Sequence, residues 1–94
     1  MRLVGKPKLE DFVRRHGDVR SAVDAWQTEV EAAGWKGPAD VKARYPSASF
    51  LSENRVIFNI KGNRYRLETK ISYEVEVVLV KWIGTHAEYS KKEF

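Results

Sequence analysis

Among its 94 residues the chain has no cysteine, three prolines, six glycines, one methionine and two histidines. Without thiols there is no disulfide staple and no thiolate metal site, so stability has to come from an ordinary hydrophobic core. Two separated histidines, with neither an HExxH pair nor a clustered carboxylate set, lead us to expect no protein-held metal and no cofactor. Neither GxxxxGK[ST] nor GxGxxG occurs, so no nucleotide cradle is expected. No segment approaches the roughly 18 apolar residues of a membrane span, and the opening MRLVGKPKLE has no apolar run of signal-peptide length. A cytoplasmic location is therefore expected. Repeats, low-complexity tracts and Gly/Ser linkers are also missing, which fits one domain over residues 1–94.

What is present is cationic. The net charge is +4, with a sequence pI near 9.5. Within Arg55–Ile71 (RVIFNIKGNRYRLETKI) five Lys or Arg face one acid, a balance that equals the charge of the whole chain. The basic character is thus concentrated in one stretch, which suggests a site for a polyanion. Its apolar residues alternate. Val56, Phe58 and Ile60 interleave with Arg55, Ile57 and Asn59, and Tyr65, Leu67, Thr69 and Ile71 interleave with Arg64, Arg66, Glu68 and Lys70. A period of two is a strand signal, and Lys61-Gly62-Asn63 between the arms reads as a turn using Gly62 and Asn63 at positive φ. The register predicts that Arg64, Arg66 and Lys70 point outward together.

Around this hairpin the elements follow from spacing. Residues 2–5 read as a short edge strand ended by Gly5 and Pro7. Leu9, Phe12 and Val13 mark a helix that stops near Gly17, with His16 at its C-terminal end as a partner for the last carbonyls. Asp18 is placed to cap a second helix, carried by Val19, Ala22, Val23, Trp26, Val30 and Ala33 to Gly34, with Trp26 in the core. Pro38 opens a short helix through Arg44, and Pro46 ends it. A strand over 48–51 turns at Glu53-Asn54 into the hairpin. After a turn at 72–74, the run Val75–Ile83 predicts a central strand. The helices cover one of its faces; the C-terminal segment closes the other, or leaves it as a groove floored by Arg64 and Arg66. Thr85 with Glu88 three positions on has capping-box spacing for a last helical turn bearing His86 and Tyr89.

Cations, amides, an imidazole and a phenol at adjacent strand ends suit metal-free RNA cleavage, in which a 2′-hydroxyl attacks its own phosphate. The imidazole of His86 suits acid or base work. Arg66 and Arg64 offer forked donors, Lys61 a mobile charge, and Tyr89 a stacking face or a proton. A basic sheet face that is merely solvated, or a non-catalytic RNA- or ribosome-binding module, would show the same composition.

The runs RVIFNIKGNRYRL and IGTHAEYSKK, with Trp26, the DVKARYPSASF segment from Asp40 to Phe50 and the Tyr73 turn, resemble the HigB toxins of type II toxin-antitoxin systems, within the RelE-like group. That resemblance implies an α+β fold of the RelE-like kind, with N-terminal helices packed on a twisted antiparallel sheet and a short C-terminal helical turn. It also implies an mRNA-cutting endoribonuclease acting on the ribosome, and a HigA-like helix-turn-helix antitoxin that neutralises it. Carried over position by position, it makes Arg66 of Tyr65-Arg66-Leu67 a transition-state contact and puts His86 and Tyr89 in catalytic positions. Arg64, Lys61, Asn59 and Asn63 follow as RNA-binding residues. Many such chains continue Tyr-Asp-Lys, whereas this one reads Tyr89-Ser90-Lys91.

Overall fold

Gly5 decides how the chain leaves its first strand. In the computed structural model, which describes residues 1–92, strand β1 (Arg2–Val4) ends at Gly5 with φ 97°, and helix α1 (Lys6–Arg15) begins directly after it. A Cβ at Gly5 would lie 2.9 Å from the carbonyl oxygen of Val80. Both the left-handed backbone and the close approach therefore require glycine.

A 3-10 turn at Gly17–Val19 leads into α2 (Arg20–Ala32), and α3 spans Pro38–Arg44. Strands β2 (Ser49–Phe50), β3 (Arg55–Ile60), β4 (Tyr65–Ser72) and β5 (Val77–Thr85) follow, then α4 (His86–Ser90). The sheet order is β1-β5-β4-β3-β2. From β2 to β5 the pairing is antiparallel, as expected; β1, however, runs parallel to β5. A parallel neighbour needs a long crossover, and the intervening chain supplies one.

The helices bury one face of the sheet. Leu9, Phe12, Val13, Val23, Trp26 and Val30 meet Val56, Phe58, Leu67, Ile71, Val78 and Val80, all nearly inaccessible. Phe58 sits in an aromatic cage of Trp26, Trp35 and Tyr45, with centroids 5.4, 6.3 and 5.1 Å away.

Four local expectations change. Asp18 does not cap α2; it lies in the preceding turn and its side chain is drawn to Tyr65 instead. In the hairpin turn Lys61 (φ 52°) and Gly62 (φ 66°) take the positive φ, not Asn63. The strand β5 is interior in the sheet and, of the two readings of its outer face, the open one holds, with Leu79 37% exposed; but the strand starts at Val77, and Val75 falls in the turn and is 67% exposed. Arg66 and Lys70 share the face turned away from the helices, as expected, with Arg66 buried there and Lys70 exposed. Arg64 does not join them, because the turn runs to residue 64 and removes it from the alternation.

Candidate active site

Cross-strand pairs place Asn59 opposite Arg66, and Arg66 opposite Gly84. Directly opposed residues share a face. Since Phe58 pairs with Leu67 in the core, Arg66 stands on the face turned away from the helices. Its guanidinium is fixed there: Nη1 donates to the carbonyls of Asn63 (3.1 Å) and Tyr65 (3.2 Å). Its Cζ lies 5.6 Å from the ring centroid of Tyr89, within cation–π range.

Helix α4 brings Tyr89 to that position. Thr85 Oγ1 accepts from the Glu88 backbone N–H at 3.1 Å, and the Glu88 carboxylate accepts from the Thr85 N–H at 2.8 Å, so the expected capping box is complete. The Thr85 N–H bond holds the Glu88 carboxyl below its ordinary range. His86 opens the helix, and its backbone N–H donates to the Arg64 carbonyl at 2.9 Å, continuing the β4–β5 ladder by one step. Ser90 Oγ donates back to the His86 carbonyl at 3.0 Å. The ends of β4 and β5 thus bring together Arg66, Tyr89 and the His86 backbone, with Asn59 alongside.

The turn cations are held elsewhere. Lys61 Nζ donates to the Asp18 carbonyl at 2.9 Å and approaches its carboxylate at 3.4 Å, while Arg64 Nη1 lies 3.9 Å from that carboxylate. Tyr65 donates its phenolic hydrogen to the same group at 2.8 Å. The Tyr65 hydrogen bond, helped by Lys61, holds the Asp18 carboxyl below its usual range and in return pushes the phenol up. Asn59 Nδ2 donates to the Ser47 carbonyl at 3.3 Å, and the Asn63 side chain is exposed beside Arg64.

Two residues on this side escaped the sequence reading. Trp82 lies over Gly84, where a Cβ would come within 2.3 Å of indole Cζ2, and Lys92 Nζ sits 5.2 Å from the Trp82 ring centroid. The available signal was parity with Gly84, which places Trp82 across from Glu68.

Fold and site define a small α+β domain that gathers a fixed guanidinium, a phenol and a helix-borne histidine at one end of its sheet. Residues 19–92 match the family described as the RelE-like toxic component of a toxin-antitoxin system, and the chain belongs to this HigB toxin family. It is similar to the mRNA interferase toxin HigB of Escherichia coli, with 23% identity over 91 residues covering 95% of this chain and 88% of the relative. The mRNA interferase HigB of Shigella flexneri matches to the same extent. No helix among the described residues is long and apolar enough to cross a membrane.

Proposed function

We propose that the chain is an mRNA-cleaving endoribonuclease that inhibits translation, with Arg66, His86 and Tyr89 as its catalytic residues. Support comes from membership of a toxin family with mRNA interferase relatives and, above all, from Arg66 clamped beside Tyr89 on the open face. A guanidinium already tied to two carbonyls loses little freedom when it meets a phosphorane, and its remaining N–H groups suit non-bridging oxygens. In this reading His86 transfers the proton that lets the 2′-hydroxyl attack, or returns one to the leaving 5′-oxygen. Tyr89 lines the site and stacks on a base or donates to the phosphate. Asn59 and Asn63 bind beside it, with Arg64 and Lys61 as outer cations. The proposed partners are mRNA, the ribosome and a HigA-like helix-turn-helix antitoxin.

Primer extension on mRNA from expressing cells tests this. The wild type should arrest growth and leave truncated messages, and Arg66→Ala and His86→Ala should each lose both effects. Whole messages in every strain would leave only a non-catalytic binder.

A further inference from the structure

Strand β1 pairs with β5 only from Val77 to Leu79. Beyond that point the outer edge of β5 is flanked by α1, and Lys8 Nζ reaches the Lys81 carbonyl at 3.4 Å. Between them lies a groove of about 400 Å³, lined in part by Lys8, Arg15, His16, Lys81, Trp82 and Glu88. That volume is in the range that takes a small ligand.

Next to a flat ring the groove carries a formal excess of positive charge, with Lys8, Arg15 and Lys81 against Asp11 and Glu88. Asp11 is paired with Arg15 at 3.3 Å, and the Glu88 carboxylate, still charged, is turned to the Thr85 backbone N–H. Lys8 and Lys81 are exposed, and no acid lies within ion-pair distance of either among the described residues. A register break between Glu68/Thr69 and β5 leaves Lys81 as the extra residue between Val80 and Trp82. Such a bulge re-aims the side chains around it. Here Lys81 and Trp82 both line the groove, and Trp82 also covers Gly84, directly opposite Arg66. Glu88 is the neighbour of Tyr89, so the groove and the Arg66–Tyr89 pair are joined through α4.

We propose that this groove is a second nucleotide subsite, which holds the phosphate and base next to the scissile position of a single-stranded RNA. The proposal rests on the endoribonuclease reading and extends its site around the β5 edge. Lys8 and Lys81 take the phosphate as point charges, and Trp82 is the surface against which the base lies.

The test titrates the whole chain with a short single-stranded RNA whose 2′-hydroxyls are methylated, so that it binds without being cut. Trp26 and Trp35 are 2% and 6% exposed, so quenching by a stacked base reports on Trp82. The wild type should be quenched and Trp82→Phe should not. Lys8→Ala with Lys81→Ala should lower the slope of log K against log salt by about 1.4, two contacts at roughly 0.7 each for a single strand. Both lysines are exposed, so folding is not at stake. An unchanged slope, quenching that persists in Trp82→Phe, or a wild type that is not quenched would each overturn the subsite. Primer extension run in parallel separates the two readings: cut messages with an unchanged slope remove the subsite alone, and whole messages with a reduced slope remove the nuclease alone.

Discussion

The phenol of Tyr65 donates to both carboxylate oxygens of Asp18, 47 positions earlier, at 2.8 and 2.9 Å. This bond ties the start of β4 to the turn before α2, and T-shaped contacts of Tyr65 with Phe12 and His16 pack the same junction. It also gathers Lys61 and Arg64 around one anion at the hairpin tip.

The pair makes stability depend on pH in a defined sense. Asp18 is held low by the Tyr65 hydrogen bond first and by Lys61 as well. Its contribution is therefore present above the unfolded carboxyl value, about 3.9, and is lost as pH falls through the lower folded value. Tyr65 is pushed up, so its share is present below about 10 and disappears as pH rises through the higher folded value. Melting curves of wild type and Tyr65→Phe should differ by a constant gap from about pH 5 to 9, and the gap should narrow toward pH 2. A gap unchanged at pH 2 would mean that the carboxylate contributes nothing.

Phe58 is fully inaccessible and touches three aromatic rings, from α2, the loop after it and the residue that follows α3. Phe58→Ala should cost about 3–5 kcal/mol, because the cage of large rings has little room to collapse into the cavity. Phe58→Leu should cost much less. Urea unfolding measures both, and a loss below about 1 kcal/mol for the alanine variant would show that the cage collapses freely.

Most elements were legible because their signals are local. Pro38 and Arg44 bound α3 where the sequence reading placed it, and Thr85 with Glu88 forms the capping box its spacing implies. The failures are long-range. Asp18 has the residue type and the position of a helix cap, and nothing near it in sequence announces Tyr65, whose approach exists only once β4 has packed on α1. The positive φ fell to Lys61 rather than Asn63 because strand pairing, not turn preference, set the hairpin register. The apolar run from Val75 resembled a strand closed on both faces, but its first residues form the turn around Glu76. Arg66, His86 and Tyr89 could be named from motif order. That Trp82 shares the face of Arg66 follows from its alternation with Gly84; what alternation does not show is the extra residue at Lys81, which brings Lys81 and Trp82 to the same groove.

Gly84 makes room for that indole. An added Cβ would lie 2.3 and 2.5 Å from Trp82 Cζ2 and Cη2. Gly84→Ala must therefore push a half-buried ring outward, at a cost of roughly 1–3 kcal/mol in the manner of an overpacked site. Removing the ring should abolish that cost, so Gly84→Ala placed on Trp82→Ala should be close to neutral. A thermal double-mutant cycle reads the coupling directly, and additive losses would show that the ring is not the obstacle.

Thr85 offers a way to loosen the site while sparing the core. Helix α4 has five residues, none of them buried, and its start is held by the Thr85 side chain and the reciprocal Glu88 bond. So short a helix has no propagation to fall back on, and loss of the cap is worth about 1 kcal/mol. Thr85→Ala should leave urea unfolding of the sheet and its helices nearly unchanged. The helix it frays carries both His86 and Tyr89, so RNA cleavage should fall by about fivefold, the population change that 1 kcal/mol implies. Thr85→Ser retains an oxygen that can accept the Glu88 N–H and should restore cleavage. Equal cleavage by the threonine and alanine forms would mean that the order of α4 does not limit the reaction.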